Sequence, residues 1–258
     1  MTKFTVDRKQ ALKFLGDFGD IADLRLTIWE EEGEALVAGT VGRYTHYQQL
    51  TIPCEVQSSG SMALSDVHKV CAFLKRGSEG TATFHQEAEA KTLYLSCGNL
   101  KIHFPGTSKV ETHNHVGSIE RLLEECAESQ WTKWARADLT CSGELNGNAV
   151  QDIVNIHNVL GENPLYTVEF YPGESEMVVK AGRRSKGRMF VTLPVTNAKG
   201  PEHKCTAVFG ANFPINLRSL PSGPLEVHMG EDAPIILRHE GSDTLLIVFD
   251  CDYEEGWE

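Results

Sequence analysis

Residues 65–76, SDVHKVCAFLKR, constrain this chain more than any other stretch. Val67, Val70, Cys71 and Leu74 recur at i, i+3, i+4 and i+7, which at about 100° per residue sets all four on one stripe of a helix. Lys69 and Arg76, seven positions apart, project together from the opposite side. Such a helix buries one face against a sheet and leaves positive charge on the other, in a chain whose formal net charge is -12. Its surroundings supply the sheet: a strand over 44–53 and a Ser58-Ser59-Gly60-Ser61 turn precede it, and alternating strands at 80–87, 91–96 and 100–104 follow.

The same design opens the chain. Phe4-Thr5-Val6 reads as a strand, Asp7 as an N-cap with Gln10 at the capping-box spacing. Ala11, Phe14, Leu15 and Phe18 form the apolar stripe of the helix that follows, with Lys9 and Lys13 about 180° away. Strands at 24–29 and 35–38 flank an acidic turn, so the first half reads βαβββαβββ. From 106 to about 133 the pattern dissolves into polar sequence with one short helix at 119–126, the best candidate for a connector. Order then resumes. A strand at 134–142, a helix from 147 or 148 to 160, and strands at 166–171, 176–181, 187–194 and 204–209 are expected. A helical turn at 212–220 and strands at 225–229, 234–240 and 244–250 complete the chain. No residue-level repeat is visible, yet the halves share an order of elements. The expectation is an α+β protein of two similar domains, 1–107 and 134–258, joined by 108–133, with antiparallel sheets outside and helices lining one face.

Length and charge limit the function. The 258 residues, 41% apolar, suffice for two ordinary cores. An acidic chain does not coat nucleic acid with its whole surface, but a local basic face is compatible with that charge. No apolar run reaches membrane-spanning length, and MTKFTVDRKQ has no apolar signal core, so a soluble cytoplasmic protein is expected. The seven cysteines include no Cys-x-x-Cys pair and read as reduced, structural residues.

Three stretches then resemble the DNA sliding clamps. FTVDRKQALKFLGDF is similar to the clamp opening of strand and ring-lining helix. LTIPCEVQSSGSMALSDVHKVCAFLKRGSEGTATFHQEAEAKTLYLSCGNLKIHFPG resembles the clamp order of strand, helix, Gly-ended turn and closing hairpin. GPLEVHMGEDAPIILRHEGSDTLLIVFD is similar to the clamps' terminal strands. Two domains per chain resembles proliferating cell nuclear antigen and the phage clamps. The resemblance implies a homotrimeric ring, helices inside, that encircles duplex DNA without reading sequence and is served by a DNA polymerase and a clamp loader.

On that resemblance Lys9, Lys13, Lys69 and Arg76 face the phosphates. The fourth helical segment, interrupted by Pro214, adds Arg218, and the turn AGRRSKGR adds Arg183, Arg184, Lys186 and Arg188. The helix at 148–160 departs from the family pattern, offering Gln151, Asn155 and Asn158 where Lys or Arg is usual. The resemblance also implies an outer partner-peptide pocket walled by Val41, Arg43, Tyr44, His46, Ile247, Phe249 and Asp250, beside an acidic tail with Trp257. The residues themselves also permit a solvated basic helix face with no DNA role, and hence a clamp-like peptide-binding scaffold that does not encircle DNA. No catalytic constellation is legible. Asp66 and His68 lack a nucleophile or an oxyanion loop, contiguous His113-Asn114-His115 lacks a third ligand, and no Gly-rich phosphate loop occurs. No enzyme, cofactor or metal is expected.

Overall fold

The computed structural model describes residues 1–17, 24–31, 34–41, 46–64, 66–78, 80–87, 92–105, 121–160, 165–183, 187–210, 213–239 and 245–248; of 24–52 the backbone alone is described. The chain divides into two compact units, Met1–Arg121 and Leu122–Glu258.

The first unit runs β1 (Thr2–Asp7), α1 (Arg8–Asp17), β2 (Leu24–Glu31), β3 (Glu34–Val41), β4 (His46–Ile52), β5 (Cys54–Ser58), β6 (Gly60–Leu64), α2 (Val67–Arg76), β7 (Thr81–Gln86), β8 (Thr92–Cys97) and β9 (Leu100–Pro105). One antiparallel sheet has the order β5-β1-β7-β8-β9, and a second run of strands has the order β4-β3-β2-β6. Phe4, Val6, Phe84 and Leu95 point from the first sheet into a core that receives Phe14 and Leu15 of α1, Val67, Val70 and Leu74 of α2, and Met62 and Leu64 of β6. Phe4 and Phe84 are register partners, and their rings stack at 4.9 Å.

The second unit begins with a helix over 121–128, here α3, and a small hairpin of β10 (Lys133–Trp134) and β11 (Ala137–Asp138). It continues through β12 (Cys141–Asn146), α4 (Gly147–Leu160), β13 (Tyr166–Tyr171), β14 (Glu176–Arg183), β15 (Gly187–Lys199), β16 (Cys205–Phe209), α5 (Phe213–Asn216), β17 (Pro224–Met229), β18 (Ile235–His239) and β19 (Leu245–Val248). The first half of β15 pairs with β14, in the order β16-β13-β14-β15. Its last residues pair with β12, in the order β15-β12-β17-β18-β19.

The two units are therefore copies of one topology. β1-α1 corresponds to β12-α4, β7-β8-β9 to β17-β18-β19, and the pair β4 and β5, separated at Pro53, to the uninterrupted β15. The copies agree in atomic detail. The first helical N–H, of Arg8 in one unit and Gly147 in the other, donates at 2.7 Å to the carbonyl of Gly80 or Gly223 respectively. Each of those glycines immediately precedes the strand that pairs with β1 or β12.

Four local expectations are corrected. The stretch read as a turn through Ser58-Ser59-Gly60-Ser61 instead joins β5 to β6, and Gly60 takes φ 141°, a conformation that favours glycine. The first half therefore reads βαβββββαβββ. The strand expected at 134–142 is broken into β10, β11 and the start of β12, because Ala135 reverses the chain at φ 51°. The helix expected to end at 126 runs on to residue 128, and positions 119 and 120 of that expectation lie outside the described residues. Over the described residues 213–220 Pro214 makes no interruption; it is the second residue of α5, where no intrahelical N–H bond is lost. In the expected connector, residues 122–133 belong to the second unit, with Cys126 1% exposed.

Candidate nucleic-acid interface

Two helices of the first unit build the candidate surface. Asp7 caps α1, its Oδ1 accepting the N–H groups of Lys9 and Gln10, both at 2.9 Å. Asp66 caps α2 in the same way, accepting from Lys69 N at 2.9 Å. The apolar stripes turn Ala11, Phe14, Leu15, Val67, Val70 and Leu74 inward, with Cys71 half-buried beside them. Lys9, Lys13, Lys69 and Arg76 are all exposed, as their helical spacing predicts.

The helices are tied together at one end. Arg8 Nη1 donates at 3.0 Å to the carbonyl of Leu74, which also accepts from Gly77 N at 3.2 Å. The first turn of α1 therefore adjoins the last turn of α2. Lys9 and Lys13 lie about 6 Å apart along one axis, and Lys69 and Arg76 about 10 Å along the other. Lys75, which helical spacing did not single out, is exposed next to Arg76. Lys69 Nζ lies 2.7 Å from Asp66 Oδ2, and that hydrogen bond holds the Asp66 carboxyl below its ordinary range. Lys69 nevertheless stays 72% exposed, and an ion pair in such solvent is weak enough to yield to a competing phosphate.

The second unit presents a different surface. Asn146 caps α4, accepting from Asn148 N at 2.9 Å, and Val150, Ile153 and Val154 are buried. The outer face exposes Asn148, Asp152, Asn155 and Val159, the last 74% exposed, with Gln151 half-buried. The described residues of α4 thus carry no lysine or arginine. Arg218 is exposed on the 3-10 turn Leu217–Ser219. Burial, and then the Arg218 charge, push the His157 imidazole below its ordinary value. Arg183 ends β14 opposite Gly187, and Arg188 is exposed on β15 opposite Gly182. Arg184 and Lys186 lie outside the described residues.

Of the expected peptide-pocket residues, Val41 and His46 are register partners closing the β3–β4 hairpin. Ile247 is fully buried in β19. Arg43, Tyr44, Phe249 and Asp250 lie outside the described residues, as do His113 and His115. Among the described residues no three His, Cys, Asp or Glu side chains are grouped to hold a metal, and no helix is long and apolar enough to cross a membrane.

Duplicated antiparallel sheets with paired helices, one pair outwardly cationic, define the class as an α+β scaffold. No protein-family model matches the chain, and no curated protein matches it in sequence. Solved structures do. The DNA polymerase III subunit beta of Borrelia burgdorferi superposes with a TM-score of 0.64 at 11% identity, covering 98% of this chain and 65% of that one. The Helicobacter pylori beta clamp, solved with a DNA ligase peptide, gives 0.61 at 12%, covering 98% of this chain and 68% of its own. The Archaeoglobus fulgidus PCNA that binds the C-terminal region of FEN-1 gives 0.58 at 10%, covering 99% of this chain and 100% of its own. The chain has the sliding-clamp fold. It spans about two thirds of the bacterial subunits and the full length of the archaeal one.

Proposed function

We propose that this protein is a DNA polymerase processivity factor, a sliding clamp whose copies close into a homotrimeric ring around duplex DNA in the cytoplasm. The observation that carries this reading is the exposed face of Lys9, Lys13, Lys69 and Arg76 in a chain of net charge -12. Cations concentrated on one helix pair meet phosphates without reading bases, while an acidic remainder repels nucleic acid elsewhere. Arg218, Arg183 and Arg188, with Arg184 and Lys186 between them in sequence, supplement that face. The mechanism is topological and includes no covalent step, so no cofactor takes part.

Two strand edges support closure between copies. β9 ends its sheet and exposes Leu100 at 42%; the first half of β15 pairs on one side with β14 and exposes Phe190 at 58%. Pairing the β9 edge of one copy with the β15 edge of the next removes both edges and covers both apolar side chains. A loader opens the ring, and polymerase and other replication proteins dock on its outer surface through short peptides, with Val41, Arg43, Tyr44, His46, Ile247, Phe249 and Asp250 as the contacts to test first.

The cation-free outer face of α4, with Asp152 exposed, favours a second reading: a peptide-binding scaffold of clamp fold that does not encircle DNA. Replacing Lys9, Lys13, Lys69 and Arg76 together by Ala separates the two. All four are exposed and none supports the core, so folding is retained. Loss of loader-dependent processive synthesis identifies the clamp, and unchanged synthesis identifies the scaffold.

A further inference from the structure

Cys141 is the first residue of β12 and Cys205 the first of β16, and their thiols meet in the second unit. The Thr140 hydroxyl lies 3.2 Å from Cys205 Sγ and 3.9 Å from Cys141 Sγ, so both sulfurs sit against one oxygen. Both cysteines are buried, at 0% and 2% exposure. The strands they begin belong to different sheet segments: β12 lies between β15 and β17, whereas β16 is an edge strand paired with β13 alone. We propose that Cys141 and Cys205 form an oxidisable thiol pair, and that the disulfide between them staples β12 to β16.

The geometry supplies proximity: with both sulfurs within 4 Å of one hydroxyl, bond formation requires local rearrangement about Thr140 and no transport of a distant segment. Gly200 roofs the site so closely that a Cβ there would come within 3.2 Å of Cys141 Sγ. Access comes from the strand ends. Thr140 and Lys204, the residues just before the two cysteines, are both exposed. Cys205 lies at the end of an edge strand, and oxidation requires that end to open against the Lys204–Glu169 pair and the bonds joining Thr206 to Glu231 and Asp232.

The chemistry balances with a low-molecular-weight disulfide, RSSR, as oxidant. In the opened state the Cys205 thiolate attacks one sulfur of RSSR, forming Cys205–S–S–R and releasing RS⁻. The Cys141 thiolate then attacks the Cys205 sulfur, closing the protein disulfide and releasing a second RS⁻. The two protein protons pass to the leaving thiolates. Two thiols are oxidised by two electrons, and RSSR is reduced to two RSH. Burial, reinforced by the Cys205 thiol, pushes Cys141 up to about 12. The closed site therefore stabilises no thiolate, which makes exchange slow.

The test incubates the full chain with oxidised glutathione and reads intact mass, a non-reducing peptide map and thermal unfolding. The expected result is loss of two hydrogens, a linked peptide joining Cys141 to Cys205, and a Tm higher by roughly 5–10 °C that a dithiol reverses. Cys205→Ser and Cys141→Ser should each abolish the linked peptide. The wild-type map decides the matter even where a variant folds poorly. Unchanged mass, a stable glutathione adduct with no closure, or linkage through other cysteines would overturn the proposal.

Discussion

Asp7 and Asn146 are the same residue of the fold in two copies: each ends the strand before a helix, and each accepts the N–H two positions on at 2.9 Å. Replacing either by Ala removes a helix cap and should cost roughly 0.5–2 kcal/mol. Asn146→Asp should instead match or exceed the wild type, since it keeps the acceptor and sets a negative charge at the N-terminus of α4. Chemical denaturation of the three variants checks both signs.

Gly77, just beyond α2, packs against β8. A Cβ there would lie 2.2 Å from Cys97 Sγ and 3.0 Å from its Cβ, with Cys97 buried in the core. Gly77→Ala should destabilise the first unit by roughly 1–3 kcal/mol through overpacking. Adding Cys97→Ala removes the sulfur, the worst of the overlap, and should recover part of the loss, a coupling that a double-mutant cycle measures.

Glu169 is a buried carboxylate between β14 and β16, paired with Lys180 at 2.5 Å and Lys204 at 2.7 Å and accepting a short hydrogen bond from the Tyr171 hydroxyl. Burial alone would raise its pKa; the hydrogen bonds from Lys180, Lys204 and Tyr171 outweigh burial and hold it down at about 2. Below the ordinary value of 4.5 the unfolded chain takes up the proton first, so the stability this group contributes is full above that value and lost as pH falls towards 2. Glu169→Gln should remove on the order of 2–3 kcal/mol at neutral pH and flatten the acid limb of the stability curve. Thermal unfolding from neutral to strongly acid pH measures both effects; an unchanged acid limb contradicts this assignment.

Trp131 stands at φ 61° after Gln130 at φ 58°, a pair of left-handed residues that carries its ring over the sheet. Arg238 lies 4.2 Å from the ring centroid and is held by Glu226 at 2.8 Å. Trp131→Ala should cost about 0.5–1 kcal/mol from the stack and loosen residues 129–139. Hydrogen exchange at Leu139 N–H, bonded to the Thr132 carbonyl at 2.8 Å, should quicken, while exchange in β13 stays unchanged.

The regular elements were legible because period and capping agreed. The apolar spacing in both helices, with the cap at Asp7, located them and predicted that Lys9, Lys13, Lys69 and Arg76 would be exposed; the second cap, Asp66, emerged only in the structure. β5 and β6 were hidden because each is five residues long and the chain changes sheets between them at Gly60. The duplication was visible only as element order. What the copies share is two caps and two backbone bonds to Gly80 and Gly223, which constrain few side chains. Arg8 was missed as the tie between α1 and α2 because its partner is a backbone carbonyl far along the chain, and nothing in local periodicity marks it. The meeting of Cys141 and Cys205 likewise depends on two strands distant in sequence.

The central claim is that copies of this chain close into a ring. Electron microscopy of the purified full chain at micromolar concentration tests it most directly. Closed rings of three copies with an open centre are expected, converted to separate particles when Phe190 and Leu100 are replaced by Asp. Isolated single-copy particles for the wild type, with no rings even when loader and DNA are supplied, would contradict it.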